Sequence, residues 1–378
     1  MKILHIVPSY KPAYVYGGPI ESVARLCEGL AADGNTVHVY TTTANGPTEL
    51  DIAPGQTMNV DGVQVTYFKR ITKDPTHVSP ALWRTLYQTA KQYDVIHIHS
   101  WWNILVMVAV KICLMKKAKV IVAPRGMLSN YIFTSGSSKA KQLMHKLFGY
   151  SLLKKTHFHA TADAEYQECR ALIPGWQGFV MPNILSLPGT DIVRQENDVF
   201  TLLFLSRIHP KKGLEILFQA ISQFNFKVKL KIAGDGDADY IAQLKALATQ
   251  LNISHNVEWL GWKSREDKFT ELLQADLFVL TSFNENFANV VVEALHMGTP
   301  VLISEDVALA GFVKNNDAGW VCTLTVDDIA AKLTEAESQV EKRQHIRRNG
   351  REIINGVFAE SKLIAGYIHA YKQIISGN

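Results

Sequence analysis

Cysteine is scarce in this chain. Cys27, Cys113, Cys169 and Cys322 are its only four in 378 residues, too scattered for a disulfide framework, and no C-x-x-C or Cys/His spacing marks a zinc site. A reducing, cytoplasmic setting is the expectation. Long apolar runs are also missing: the longest, Trp101 to Met115, is broken by Asn103 and Lys111 and falls short of the roughly 20 residues a spanning helix needs. The first residues, MKILHIVPSY, hold one lysine and too short an apolar stretch for a signal peptide. There is no low-complexity tract, and no internal repeat beyond two α/β halves. The turn after the first strand has a glycine pair but not G-x-G-x-x-G, which removes a dinucleotide site there. The run Asp235, Asp237, Asp239 is not a calcium loop, because Tyr240 and Ala246 stand where the loop requires Gly and Glu. No motif calls for a nucleic acid, a metal or a bound cofactor.

What is present has the balance of a soluble globular protein: 47% hydrophobic and 20% charged residues. A chain of this length exceeds one comfortable core, so two domains are expected. The net charge of +4 is unevenly placed. Residues 1–190 hold 19 Lys and Arg against 11 Asp and Glu, a net of +8, and residues 191–378 hold 20 against 24, a net of −4. The first half suits an anionic surface better than the second.

The apolar pattern alternates short buried runs with amphipathic stretches, the signature of parallel sheets covered by helices. Lys2 to Val7 reads as a strand, followed by a loop with Gly17-Gly18, a helix over Ile20 to Asp33 and a strand over Val37 to Thr42. Paired glycines at a strand-to-helix turn let backbone N–H groups approach a phosphate. Asp61-Gly62 marks a hairpin. Asp94 to His99, DVIHIH, is a strand whose alternation puts His97 and His99 on one face; without a third ligand nearby in sequence, the pair is not a metal site. Arg125 follows the next strand, Val120 to Ala123, and is either a phosphate or acceptor contact or a surface arginine. Lys139 to Lys155 is a basic amphipathic segment, with Leu143, Met144, Leu147, Phe148 and Leu152 on one side. A core-facing helix is the stronger expectation, and a helix lying on anionic lipid is the alternative. Residues 182–198 read as the interdomain linker. Phe200 to Leu205 restarts the α/β pattern and runs into Arg207 and Lys212, five apart around a turn, which can converge on one anion.

The segment Ser282 to Val301, SFNENFANVVVEALHMGTPV, orders the second half. The strand Ala275 to Thr281 precedes it, a helix is expected from Asn289, Gly298 caps that helix and Pro300 ends it. Two carboxylates stand eight apart: Glu285 in the loop beyond the strand, and Glu293 one turn into the helix, whose N-terminus favours phosphate. Ligands of open parallel sheets bind at such carboxyl ends. Residues 305–320 lack periodicity, Ile329 to Ile354 reads as helix, and Phe358 to Ile375 as an amphipathic helix.

These motifs, in this order, resemble the retaining glycosyltransferases of family 4. The shared features are the glycine loop, D-x-x-H-x-H, R-x-x-x-x-K-G, E-x7-E and Gly-Thr-Pro-Val. The resemblance covers nearly the whole chain. It implies the GT-B fold: two Rossmann-like, doubly wound parallel-sheet domains facing each other across a cleft. Residues 1–185 would form the acceptor side, residues 186–357 the donor side, and the C-terminal helix 358–378 would pack back on the first. It further implies that Gly17, Gly18, Arg207 and Lys212 meet a donor diphosphate, that His99 faces the transferred sugar, and that the tip of Val257 to Gly261 faces the nucleobase. Glu285 would hold sugar hydroxyls and Glu293 the ribose, with the loop Asn286, Phe287, Ala288, Asn289 lining the donor. Where the commonest family version has glycines, this chain has Asn286 and Ala288. Asn286 suits left-handed backbone, and Ala288 is expected at negative φ. The implied activity moves a hexose-type sugar from a nucleoside-diphosphate sugar to a glycan or lipid-linked acceptor in bacterial surface polysaccharide synthesis. It needs no metal, and weak association with the inner face of the plasma membrane would fit. A nucleotide-sugar epimerase of the same fold, or an inactive family member that binds a sugar nucleotide, are the alternatives.

Overall fold

The computed structural model describes residues 1–134, 138–189, 193–224 and 226–377. The chain forms two compact units, Met1–Ser186 with Glu360–Asn378, and Leu187–Ala359. Of the linker expected over 182–198, positions 190–192 lie outside the described residues.

The first unit is built on an eight-stranded sheet: β1 (Lys2–Ile6), β2 (Thr36–Thr42), β3 (Thr57–Val60), β4 (Val63–Phe68), β5 (Val95–His99), β6 (Val120–Ala123), β7 (His157–Ala160) and β8 (Gln177–Val180). Their spatial order is β8-β7-β6-β5-β1-β2-β4-β3, and only β3 runs antiparallel to its neighbour. The hairpin β3–β4 turns at Asp61 and Gly62, both at positive φ (52° and 86°) as the sequence implies. Helix α1 (Gly18–Ala32) starts two residues before the expected Ile20 and buries Ile20, Val23, Leu26, Cys27 and Leu30. The sheet is apolar on both faces because both carry helices: Leu4, Ile96, Ile98 and Val122 belong to one core, Ile3, Val37, Val39 and Val95 to the other.

The second unit holds β9 (Phe200–Leu205), β10 (Val228–Ala233), β11 (Val257–Gly261), β12 (Leu277–Leu280), β13 (Val301–Ser304) and β14 (Gly319–Cys322), all parallel, in the order β11-β10-β9-β12-β13-β14. The order reverses between β9 and β12, and a crevice opens beyond the carboxyl ends of strands at such a switch point. The loops that leave those two strands carry Arg207 to Lys212 and Ser282 to Ala288. Three helices flank the site: α2 (Leu214–Ile221), α3 (Arg265–Gln274) and α4 (Asn289–His296). Helix α4 begins and ends where the sequence places it, with Gly298 just past its end. The edge strand β14 begins at the end of the stretch that lacked periodicity, which also holds a short helix at Ala310–Asn315. A strand of four residues, three of them buried, is too short to declare a period.

The last helix, α5 (Glu360–Ser376), belongs to the first unit. Leu363, Ile364, Tyr367, Tyr371 and Ile374 join the core containing α1. Arg25 of α1 holds Glu360 at 2.7 Å.

The segment Lys139 to Lys155 departs from the expected core-facing helix. It breaks into Ser138–Met144, a π-turn over His145–Gly149, and Tyr150–Leu153. Leu143, Leu147 and Phe148 are 58%, 59% and 60% exposed, and the chain buries His145, Gly149 and Leu153 instead. The apolar stripe read at regular helical spacing thus faces out at Leu143, Leu147 and Phe148, and only Leu152, past the wide turn, packs against the core.

Candidate functional site

In the second unit, Lys212 closes a short turn after β9. Its amide donates to His209 O at 2.8 Å, and the next residue, Gly213, has φ +67°. Only glycine fits there: a Cβ would stand 2.1 Å from Thr281 O, the residue that follows β12. The close approach of the two switch-point loops brings Lys212 Nζ onto Glu285 Oε1 as an ion pair, with the two side chains 13% and 15% exposed. Glu285 is fixed by its own backbone. Its N–H donates to Asp306 O at 3.1 Å, and Ala308 N–H donates to its carbonyl at 3.0 Å. Arg207, in contrast, is exposed, and its side chain makes no recorded hydrogen bond or ion pair among the described residues. Lys212, rather than Arg207, is thus the cation fixed at the carboxylate.

Glu293, buried on α4, pairs with Lys268 of α3 at 2.8 Å. Sequence reading missed Lys268, which looks like any solvated helix lysine. Its one signal is that α3 immediately precedes the strand leading to the site. Each carboxylate of the motif therefore has a lysine from another element.

The loop between the carboxylates corrects two expectations. Ala288, not Asn286, takes the left-handed backbone, with φ +61°. Such backbone costs an L-residue roughly 1–2 kcal/mol, and strain of this kind collects at functional sites. Ala288 is the N-cap of α4 and has no side-chain oxygen to cap it; its carbonyl accepts from Val291 N–H at 2.9 Å. Phe287 is 3% exposed and meets Phe358 edge-on at 5.9 Å, so its ring anchors the loop in the core rather than lining a donor. Asn286 and Asn289 are partly exposed. Past the tip of β11, Trp262 stands 75% exposed.

In the first unit, Gly17 takes φ +70° and Gly18 opens α1. His99 is not an open sugar contact: it is fully buried at the end of β5, inside a cluster of four histidines. The third ligand that sequence reading found lacking near His97 and His99 is His5, on the neighbouring strand β1. One ring nitrogen each of His5, His97 and His99 lies within 4.8 Å of the others, a grouping able to hold a metal ion. The hydrogen bonds give these rings another occupation. Tyr371 OH lies 2.7 Å from His97 Nδ1, His97 Nε2 lies 3.3 Å from His159 Nδ1, and His159 Nε2 lies 2.8 Å from Met181 O. A carbonyl only accepts, so the proton on His159 is at Nε2, that on His97 at Nε2, and Tyr371 donates. On the other side, Arg125 Nε donates to His99 Nδ1 at 3.3 Å, which leaves His99 Nε2–H to donate to His5 Nδ1 at 3.0 Å. His5 Nε2 has no partner among the described residues. Every ring is neutral. Burial first, and then the Arg125 charge, push His5 down to about 3, and burial pushes His159 to about 3 and His97 and His99 well below the ordinary value.

Arg125 is not a free surface arginine. It takes φ +53°, and its Nη1 donates to Ser22 Oγ of α1 at 3.2 Å and to Asn183 Oδ1 at 3.0 Å. The buried Glu165 fixes the turn by accepting from Gly126 N–H at 2.6 Å. Arg125 thereby ties the His99 strand to the helix that follows the glycine loop.

Comparison with known proteins bears on the family and the fold. A family model described as glycosyl transferases group 1 matches residues 191–353, and one described as a glycosyl transferase 4-like domain matches residues 17–183. An uncharacterised glycosyltransferase of Methanocaldococcus jannaschii is 26% identical over 98% of both chains. A lipopolysaccharide core biosynthesis glycosyltransferase of Rhizobium meliloti is 25% identical over 45% of this chain and 49% of its own. Among solved structures, a sucrose-phosphate synthase of Thermosynechococcus elongatus superposes with a TM-score of 0.77 at 18% identity, over 100% of both chains. The Anabaena protein HepE, solved in complex with UDP and glucose, superposes with a TM-score of 0.75 at 18% identity, over 99% of this chain and 100% of its own. Among the described residues, no helix is long and apolar enough to cross a membrane.

Proposed function

Because the chain belongs to the glycosyl transferases of group 1 and has the GT-B fold, we propose that it transfers a hexose-type sugar, with retention, from a nucleoside-diphosphate sugar to a glycan or lipid-linked acceptor. The observation that carries this reading is the meeting of Lys212 and Glu285 at the switch point, in the loop that leads to the N-terminus of α4. Breaking a sugar–phosphate bond develops negative charge on the leaving diphosphate and positive charge on the sugar. Lys212 and the helix N-terminus are placed for the first charge. Glu285 is placed for the second, and for the sugar hydroxyls. Arg207, exposed on the same turn, would swing onto the diphosphate when it binds, and Glu293, oriented by Lys268, would accept from the ribose hydroxyls. Gly17, Gly18 and Arg125 would serve the first unit's side of the reaction. His99 would act through Arg125, since both its nitrogens are engaged. No further cofactor is called for, because protein cations neutralise the diphosphate.

UDP-glucose, which HepE binds according to a solved complex, is the first donor to test. Among UDP-, GDP- and ADP-sugars, one class should raise the melting temperature, since a ligand of the native state stabilises it. With that donor and an acceptor extract, chromatography should yield free nucleoside diphosphate and a glycosylated acceptor. An isomerised sugar nucleotide in their place would make the chain an epimerase, and donor binding without turnover would make it an inactive member.

The acceptor is proposed to belong to bacterial surface polysaccharide, reached at the cytoplasmic face of the plasma membrane; the four buried free thiols suit that side. Support comes from the exposed apolar residues Leu143, Leu147 and Phe148, set among the exposed Lys139, Lys146, Lys154 and Lys155. Between Asp94 and Asp163 the sequence has no carboxylate and 10 Lys and Arg. Lysines near an anionic leaflet contribute about 1 kcal/mol each. The chain should co-sediment with anionic vesicles at low salt, release at high salt, and bind less when Lys154 and Lys155 become Glu. Equal binding to neutral vesicles would refute the electrostatic docking.

A further inference from the structure

Lys212 and Glu285 are held together by fixed backbone on both sides. Thr281 Oγ1 donates to Gly213 O at 3.1 Å, which locks the lysine turn onto the end of β12, and Glu285 is bonded through both its N–H and its C=O to the loop after β13. The pair can part only by side-chain rotation. Little of it is exposed, so water does little to weaken the attraction. The cation placed for a diphosphate thus already has an anion, supplied by the chain itself.

Building on the donor reading above, we propose that Glu285 competes with the diphosphate for Lys212 and thereby makes the site select the sugar-bearing nucleotide over the spent one. A phosphate oxygen that takes Lys212 leaves Glu285 ionised beside a second anion. A sugar nucleotide brings hydroxyl groups that donate to the displaced carboxylate, so both partners of the broken pair are satisfied. A nucleoside diphosphate without its sugar brings no such donors, and the stranded carboxylate opposes it. Once the sugar has been transferred, Glu285 returns to Lys212 and the spent nucleotide is released. Selectivity of this kind is set by what the wrong ligand leaves unpaired. No bond beyond the transfer itself is made or broken.

The test is calorimetric titration of the full chain with UDP and with UDP-glucose, or with the GDP or ADP pair if those are the nucleotides that bind. The variants are Glu285→Gln, Lys212→Met and the double substitution. Glu285→Gln removes the competing charge at constant size and should bind the diphosphate about tenfold tighter or more. The sugar nucleotide should gain nothing. In the Lys212→Met background the gain should vanish, because no cation is left to compete for. Equal or weaker diphosphate binding by Glu285→Gln overturns the proposal. So does a gain that persists without Lys212, which would mean simple repulsion through space. If the wild-type chain binds none of the three diphosphates, the donor reading itself fails, and this proposal with it.

Discussion

Lys212→Ala is expected to lower turnover at saturating donor by about 10²-fold or more, the scale of losing one preorganised stabiliser of transition-state charge. The fold should survive. The ammonium pairs with one carboxylate and closes no core, and the turn is fixed by Gly213 and Thr281 rather than by the lysine side chain. A melting temperature within a few degrees of wild type, with the loss carried by kcat rather than KM, is the expected result. Turnover near wild type would remove Lys212 from the chemistry. A loss confined to KM would recast it as a residue that only binds donor.

Acidification should have the second large effect, on stability. In the unfolded chain a histidine takes up its proton near 6.5; in the native first unit His5 and His159 stay neutral to about 3, and His97 and His99 well below the ordinary value. As pH falls from about 6.5 towards 3, the unfolded state binds more protons than the native state, so stability falls through that window and is fully present above it. Each ring still neutral at pH 5 costs about 2 kcal/mol relative to pH 7. Several such rings together approach the whole stability of a domain. The groups that face the cluster are Arg125, which opposes protonation, and the neutral Tyr367 and Tyr371 of α5; no carboxylate hydrogen-bonds to these rings among the described residues. The melting temperature should change little above pH 6.5 and drop steeply as pH falls from about 6.5 towards 5 and below. His5→Phe, which removes the ring with an unpartnered nitrogen, should make the drop shallower. A flat profile would mean that the cluster opens to solvent or carries a proton already.

Which parts of this protein are written in local sequence follows from the reach of the forces involved. The α/β alternation, the span of α4 with Gly298 after it and the Asp61-Gly62 hairpin all rest on interactions within a few residues: side-chain period, end caps, glycine backbone. The placement of Glu285 beyond a strand and Glu293 within a helix is legible for the same reason. So is the proximity of His97 and His99, because a strand alternates strictly. Sheet order lies beyond that reach. His5 meets His99 across 94 positions only because β1 and β5 are neighbours, and that adjacency is decided by how both faces of the sheet are covered. Lys212 meets Glu285 across 73 positions, and Lys268 meets Glu293 across 25, for the same kind of reason. Backbone strain is also a tertiary matter. Ala288 holds φ +61° because Phe287 is pinned in the core on one side and α4 is fixed on the other, whereas its own propensity argues for the opposite sign. The same holds for the outward face of Lys139 to Lys155. Its periodicity specifies an amphipathic helix, but which face that helix turns to the core is decided by its neighbours, and Leu143, Leu147 and Phe148 face solvent. Local chemistry fixed which residues could act, and the packing of distant elements decided which of them meet and which way they face.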